Sequence, residues 1–185
     1  MRSFLPWIVA GLMLGAIVHI VSILMMPALS GQDATTRLRA LATLNHLQLL
    51  PRVTPERMAL PFDDPDLATG ICPFDISAMP LRIKVPAGEE FLTVSFLQPG
   101  GSIFYALSDH ATANGMLDIR LADKAQMTEI EAEDPGDEAV SELRVPAKSL
   151  IGVVLIKALA NDRAQLANAE ARISRATCTT EAIAN

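Results

Sequence analysis

The sequence has few of the residues that mark nucleic-acid-binding proteins. Aromatic residues make up only 4% of the 185, with one Trp, one Tyr and six Phe. Basic residues are outnumbered as well, since 15 Lys and Arg face 21 Asp and Glu and give a formal net charge of −6. Phosphate binding needs a concentrated basic face, and single-strand binding needs aromatics among the Lys and Arg. This composition argues against nucleic acid as a partner.

Motifs for metals and cofactors are missing too. The chain has three His and two Cys, and neither Cys72 nor Cys178 has CxxC spacing or a neighbouring His. No zinc ligand set is therefore recognisable. No glycine cluster opens a helix after a strand, so the phosphate-cradling and dinucleotide fingerprints are absent. We expect no cofactor and no bound metal.

One long apolar run stands out at the N-terminus. Trp7 to Met26 contains no Asp, Glu, Lys or Arg. As a helix, twenty residues rising about 1.5 Å each span roughly 30 Å, the thickness of the hydrocarbon core of a bilayer. We therefore predict that residues 1–30 form a transmembrane anchor and that the lipid bilayer is a partner of this chain.

A cleaved secretory signal is the alternative interpretation of this run. Arg2 provides a basic start, and small residues precede Gly31 where a signal peptidase would cut. Against cleavage, the apolar run is longer than the usual signal core, and Pro27 lies close to the supposed site. Retention as an anchor is the favoured prediction.

Small and polar residues share one face of this anchor. Gly11, Gly15, His19 and Ser22 recur at helical spacing and fall within an arc of about 80°. A GxxxG pair permits close approach of a second helix, and a His or Ser can hydrogen-bond across the contact. The face is a candidate interface with another membrane protein or with a second copy. Alternatively, the GxxxG occurs by chance and a neutral His19 is merely tolerated.

The two cysteines indicate the compartment. Arg37 and Arg39 after the anchor nearly balance Arg2 and the amino terminus before it, so charge alone does not set the orientation. Cys72 and Cys178 lie 106 positions apart in a chain sent to or across a membrane, which suits a disulfide in an oxidising compartment. Two unrelated buried thiols are the alternative.

Residues 31–70 are predicted to connect the anchor to a folded domain. Asp33 can cap a short juxtamembrane helix, because Leu38, Leu41 and Leu44 follow at helical spacing. Four prolines then occur between positions 51 and 65, too many for a helix or a central strand. We expect a proline-rich linker or wrapping loop over 51–70.

Residues 71–185 have the pattern of a β-rich domain that ends in a helix. Short apolar runs separated by turn signals predict strands at Ile71 to Ile76, Leu81 to Val85, Phe91 to Leu97, Ile103 to Leu107, Leu117 to Leu121, Glu142 to Val145 and Leu150 to Leu159. Pro99-Gly100-Gly101 is a hairpin turn, and the nearly apolar last run is the predicted central strand. Asp162 caps a helix predicted over 163–176. The fold class is mainly β, an antiparallel β-sandwich or half-barrel.

Two segments have residue types that could carry chemistry. Ser108-Asp109-His110 contains the residue types of a hydrolase triad, yet adjacent side chains point apart, and a polar loop after a strand is the simpler interpretation. From Glu129 to Glu142, seven acids occur in fourteen residues without a basic residue. This segment lacks EF-hand spacing, so an exposed acidic hairpin loop is favoured over a calcium site.

The order of these parts resembles a known group. The segments Asp64-Pro65, Gly70 to Asp75 with its Cys-x-Phe-Asp, and Phe91 to Asp109 with its Phe-Tyr-x-Leu-x-Asp carry the resemblance. The sequence resembles small bacterial membrane proteins of the domain of unknown function 1254 group. The resemblance implies a single-pass inner-membrane protein with a periplasmic β-rich domain that acts beside a larger relative, and it implies no activity.

Three functional hypotheses follow, and the first is favoured. The chain is a membrane-anchored, non-enzymatic periplasmic accessory or binding domain, because no catalytic set accompanies the anchor. The alternative is a β-domain that holds a small apolar ligand or lipid in its interior. The third is a hydrolase that uses Asp109 and His110.

Overall fold

The computed structural model describes residues 4–29, 34–54, 64–88, 90–133, 142–160, 162 and 164–183. The chain divides into two compact units, Met1–Asp33 and Ala34–Asn185. The first unit contains helix α1, Leu5–Leu29. Its segment Leu5–Met26 is long and apolar enough to cross a membrane, and none of it is buried by protein. A helix of this length and composition near the N-terminus fits a membrane anchor or a signal sequence.

In its described residues, the second unit contains nine strands and three further α-helices. The helices are α2, Ala34–Leu41, α3, Lys124–Glu133, and α4, Leu166–Ser174. The strands are β1, Gln48–Leu49; β2, Leu67–Asp75; β3, Leu81–Pro86; β4, Leu92–Leu97; β5, Ile103–Ser108; β6, Met116–Ala122; β7, Glu142–Pro146; β8, Ile151–Leu159; and β9, Thr177–Thr180. They form a five-stranded sheet of order β1-β2-β8-β4-β5 and a four-stranded sheet of order β7-β6-β3-β9.

The hydrophobic core lies between the two sheets. Alternation in β3 and β4 turns every second side chain inward, so that Leu81, Ile83 and Val85 are fully buried while Arg82 and Lys84 stay partly exposed. Phe74 and Phe96 of the five-stranded sheet belong to the same buried cluster. Side chains from both sheets fill the space between them. Because the domain is built mainly from these two sheets, its fold class is mainly β, as predicted.

Helices α2 and α4 cover apolar side chains of the five-stranded sheet. Ala169 and Ile173 of α4 join the main core, and α4 packs chiefly against β2. Leu38 of α2 packs with Ile71 and Val153 in a smaller cluster that is separate from the main core. Helices α2 and α4 therefore each bury an apolar stripe against the five-stranded sheet.

Strand β8 is the middle strand of the five-stranded sheet, which confirms the predicted central run. The position of β8 between β2 and β4 requires that residue 152 has no side chain, as Gly152 provides. A Cβ atom at this residue would collide with the carbonyl oxygen of Leu97 and with the ring of Phe74. Strands β4 and β5 pair antiparallel around the Pro99 to Gly101 turn, so the predicted hairpin is also present.

The predicted linker over 51–70 is wrong at its C-terminal end. Strand β2 begins at Leu67 and pairs with β8 from its first residue, Leu67 opposite Leu159. Pro73 also lies inside this strand. It is tolerated because β1 pairs only with Gly70 and Ile71, so no ladder hydrogen bond is needed from Pro73 toward that side.

The acidic hairpin predicted over Glu129 to Glu142 is also wrong. Its first acids lie in α3, and β7 pairs parallel to β6, so α3 is part of a crossover connection instead of a hairpin. Asp123 and Gln126 start this helix with reciprocal side-chain to backbone hydrogen bonds of 2.8 and 3.0 Å, a capping box. Residues 134–141 of the predicted loop lie outside the described residues.

The C-terminal helix is shorter than predicted. It spans Leu166–Ser174 instead of 163–176, and the carboxylate of Asp162 accepts a hydrogen bond from the Gln165 amide in the turn before it. Cys178 lies in strand β9, which pairs antiparallel with β3 and which the sequence analysis missed. Asp33, the predicted cap of α2, lies outside the described residues.

Candidate functional site

The small-residue face of the anchor is open in this structure. Helix α1 carries Gly11, Gly15, His19 and Ser22 along one side, and a Cβ atom added at either glycine would meet nothing within 4 Å. The Ser22 hydroxyl donates to the Val18 carbonyl at 2.8 Å, within its own helix. There is therefore room for a second helix at the glycines, and the helix interface itself stays a prediction.

The two cysteines form a disulfide that joins the sheets. Cys72 lies in β2 of the five-stranded sheet and Cys178 in β9 of the four-stranded sheet, with their Cα atoms 6.5 Å apart. Both are buried, at 0% and 2% exposure. This bond is a scaffold element and not a reactive site, because its sulfur atoms lie inside the core.

The Ser108-Asp109-His110 segment does not assemble a triad within the described residues. Asp109 and His110 lie in a single 3₁₀ turn, Asp109–Ala111, and the Ser108 side chain makes no capping hydrogen bond there. The His110 side chain is exposed. One carboxylate oxygen of Asp109 is buried without a hydrogen-bond partner in the described part of the chain. A nucleophile bonded to a base is therefore not present here.

A buried arginine that the sequence analysis missed lies close to Asp109. Arg172 of α4 is only 2% exposed, and its Nε donates to the Pro86 carbonyl at 2.9 Å. The guanidinium also donates to the Glu90 carbonyl and lies 3.7 Å from the Glu90 carboxylate. Burial lowers the pKa of Arg172, and the charges of Glu90 and Asp109 oppose that shift. These contacts hold the loop between β3 and β4 against α4.

The position of the Arg172 side chain explains why residue 88 is a glycine. A Cβ atom at Gly88 would lie 2.8 Å from the Arg172 side chain, closer than carbon atoms approach. Arg172 also lies on the apolar stripe of its helix, three residues after Ala169. That spacing is the sequence signal that could have identified it, because an arginine on a buried stripe needs fixed partners.

A row of arginines crosses the outer face of the four-stranded sheet. Arg82, Arg120 and Arg144 lie directly opposite one another on β3, β6 and β7. Opposed like charges destabilise a sheet unless acids lie between them. Arg82 donates to both carboxylate oxygens of Asp118, at 2.9 and 2.8 Å, and these bonds raise the pKa of Arg82.

Two glutamates complete this charge network. Glu142 lies 3.0 Å from Arg120 and 3.5 Å from Arg144, and Glu181 lies 2.9 Å from Arg82. The arginines are thus paired with acids from the same face, and the arrangement is a structural network and not a free anion site.

An open groove of about 430 Å³ lies beside α3. It is lined by Ala78, Met79, Pro80, Gln126, Glu129, Ala132, Ala182 and Ile183. The Gln126 amide is already used, since it donates to the Ile76 carbonyl at 2.8 Å. In the described part of the chain, no three His, Cys, Asp or Glu side chains come together to hold a metal.

Two solved structures are similar to this chain at low sequence identity. The VPA0106 protein from Vibrio parahaemolyticus is 15% identical with a TM-score of 0.53 over 78% of this chain, which shows a shared fold. An uncharacterised protein from Burkholderia cenocepacia is 12% identical with a TM-score of 0.48 over 79% of this chain. This chain spans only 32% and 40% of their lengths. No family model and no curated protein matches the sequence.

Proposed function

We propose that this chain is a membrane-anchored accessory or binding domain that works outside the cytoplasm without catalysing a reaction. One combination carries the proposal: a 22-residue apolar segment of helix α1 that the protein does not bury, followed by a domain whose sheets are joined by a disulfide. The helix needs a membrane, and the disulfide needs an oxidising compartment.

The finer location is part of the same proposal. We place the anchor in a bacterial inner membrane and the β-domain in the periplasm, as the resemblance to the domain of unknown function 1254 group implies. Membership in that group is likewise proposed, and it assigns no role to any residue.

The non-enzymatic part of the proposal rests on the sequence, which contains no recognised catalytic motif. The hydrolase hypothesis loses support because His110 is exposed and no bonded triad occurs in the described residues. The apolar-ligand hypothesis loses support because core side chains such as Phe74, Phe96 and Ile156 fill the space between the sheets. An accessory or binding role needs neither a triad nor an internal cavity.

The anchor face is the proposed contact with a membrane partner. Co-purification in mild detergent of the full-length chain tests it, with Gly11→Leu and Gly15→Leu together as the variant. Ala10→Leu is the matched control, because Ala10 lies roughly 140° around the helix from the centre of the small-residue face. We expect the double variant to lose co-purified membrane proteins and the control to retain them.

If the double variant co-purifies the same membrane proteins as the wild type, the anchor face is removed from the proposal. Recovery of a chain that lacks its first thirty residues would contradict the anchor itself, since it would show a cleaved signal sequence.

A further inference from the structure

Apolar side chains remain exposed on one face of the β-domain, around helix α2. Leu41 at the end of α2 and Leu44 in the turn after it are each 45% exposed. Leu38, three residues before Leu41, is fully buried and packs with Ile71 and Val153 of the five-stranded sheet. Helix α2 is therefore fixed to that sheet and carries two leucines that the described part of the domain leaves largely uncovered.

The strand register continues this apolar surface across the sheet. Val154 of β8 belongs to the main core, so its neighbour Val153 points to the outer side of the sheet. Val153 lies opposite Leu97 of β4, and Leu97 lies opposite Ile103 of β5. Ile103 is 59% exposed, and Ile151, two residues before Val153, is 38% exposed. We call the exposed members of this surface the apolar outer face: Leu41, Leu44, Ile103 and Ile151.

The length of the chain between α1 and α2 limits what this face can meet, and this step rests on the proposed anchor. Only residues 30–33 separate Leu29, the end of α1, from Ala34, the start of α2. Five Cα-to-Cα steps reach at most about 18 Å when fully extended. The headgroup region on each side of a bilayer is itself roughly 5–7 Å deep. A bilayer that holds α1 is therefore always within reach of α2.

The charge around α2 differs from that of the whole chain. Residues 34–55 contain no Asp or Glu, although the formal net charge of the chain is −6. The same stretch contains Arg37 and His46, which are exposed, and Arg39, which is partly buried. Asp75 ends the adjoining strand β2, and hydrogen bonds from Ser77 and the charge of Arg39 lower its pKa. Basic side chains beside exposed leucines are typical of surfaces that bind anionic lipid.

We propose that the apolar outer face docks onto the anionic surface of the bilayer that holds α1, with Leu41 and Leu44 in the headgroup region and Arg37 and Arg39 beside lipid phosphates. The leucines leave water, and the guanidinium groups gain anionic oxygens as acceptors. Because the anchor already confines the domain to the membrane, a small contact is sufficient. The outer face of the four-stranded sheet, with its paired arginine row, then points away from the membrane.

Fluorescence quenching of the full-length chain in lipid vesicles tests the docking. Both native cysteines are bonded to each other, so Ile103→Cys introduces one free thiol for a fluorophore, on β5 and not beside the anchor. Met116→Cys is the matched control, because Met116 is a 37% exposed apolar residue on β6, in the opposite sheet. The vesicles contain phosphatidylcholine, phosphatidylglycerol and a lipid with a quencher on its headgroup. We expect the Ile103→Cys label to be quenched about threefold and the Met116→Cys label to be nearly unquenched.

A leucine variant separates docking from the effect of the tether. Leu41→Ser with Leu44→Ser in the Ile103→Cys chain leaves the anchor and residues 30–33 unchanged. It should reduce the quenching to the level of the Met116→Cys chain, since the side chains that enter the headgroup region are then polar.

Charge variants test the anionic part of the proposal. Arg37→Gln with Arg39→Gln in the Ile103→Cys chain should also reduce the quenching, and so should vesicles of phosphatidylcholine without phosphatidylglycerol. Formation of the Cys72–Cys178 bond reports that each variant has folded. The arginine variant replaces the leucine variant if the bond is absent from the latter.

Three results would overturn the docking. The first is equal quenching of the Ile103→Cys and Met116→Cys labels. The second is unchanged quenching in the leucine variant, because the tether alone would then account for it. The third is an Ile103→Cys label that is unquenched in vesicles but shielded from a water-soluble quencher in native membranes, which would show that a protein covers this face.

Flotation of the vesicles separates this inference from the proposed function. A chain that floats with the vesicles but shows no quenching removes only the docking. A chain that does not float removes the proposed anchor, and the docking is removed with it.

Discussion

At the scale of single residues, the clearest dependence is that of the β3–β4 loop on Arg172. Two backbone carbonyls and the Glu90 carboxylate lie around a guanidinium that is shielded from water. Removing the arginine leaves these acceptors buried without a donor, which costs more than the pairing itself contributes. Sequence reasoning did not identify this residue, because an arginine on a surface helix usually faces solvent.

We predict that Arg172→Met lowers the free energy of unfolding by about 3 kcal/mol, since it keeps the side-chain length but removes every donor. The measurement is urea unfolding of the full-length protein in detergent, followed by circular dichroism. Arg175→Met is the control, because Arg175 is exposed one residue beyond the same helix, and it should change stability by less than about 0.5 kcal/mol. Equal effects of the two variants would contradict the assigned contacts.

At the scale of elements, the sequence correctly predicted the strands and turns that are specified by a pattern among neighbouring residues. Alternation in β3 and β4, the hairpin before β5 and the apolar run of β8 depend on neighbouring residues, and the structure has all of them. Strands β1 and β9 are too short to show a pattern and exist because longer strands lie beside them. The acidic residues of α3 were interpreted as a loop. The capping residues Asp123 and Gln126, which indicate a helix start, were overlooked.

The candidate site was less predictable for a related reason. The anchor face could be found by helical spacing alone, because it lies on one helix. The arginine row and the apolar outer face depend on which strands become neighbours, and that order places β8 between β2 and β4. Single-sequence patterns do not specify such long-range neighbours.

One ion pair links the segment after β1 to α4 and gives a pH-dependent prediction. Arg52 donates to both carboxylate oxygens of Glu170, at 2.6 and 2.7 Å, and this lowers the pKa of Glu170. A carboxylate with a lowered pKa in the folded state stabilises the fold above its unfolded pKa, and the effect is lost as the pH falls through the folded pKa. The Arg52 side chain is 56% exposed, so solvent screens the pair and the effect is small.

We predict that Arg52→Met lowers the urea midpoint slightly between about pH 5 and pH 7 and that this difference shrinks as the pH falls below about 4, through the lowered pKa of Glu170 in the folded state. The check is a series of urea titrations of wild type and variant across that range. Lys148→Met, which removes an exposed cation in the segment between β7 and β8, should show no such pH-dependent difference. A constant difference down to about pH 3 would rule out Glu170 as the titrating partner.

At the scale of the whole molecule, one covalent bond ties together the two sheets of the domain. The Cys72–Cys178 bond closes a separation of 106 residues, so it restricts the unfolded chain more than a bond between near neighbours would. Its position between β2 and β9 also explains why four-residue β9 persists at a sheet edge.

We predict that Cys72→Ala with Cys178→Ala lowers the free energy of unfolding by about 2–5 kcal/mol. Urea unfolding of the double variant against the oxidised wild type measures this difference. Reduction of the wild type under the same conditions should give a similar loss. Equal stability with and without the bond would mean that the sheets pack without need of it.

The most direct measurement of the central claim is protease accessibility of the full-length chain in spheroplasts, read from the membrane pellet. The claim is that an uncleaved N-terminal helix holds a disulfide-bonded β-domain on the periplasmic face of the inner membrane. We predict that the chain sediments with the membrane at its full 19.8 kDa and that external protease degrades the β-domain without lysis. A domain protected until the membrane is lysed, or a shortened chain in the soluble fraction, would contradict the account.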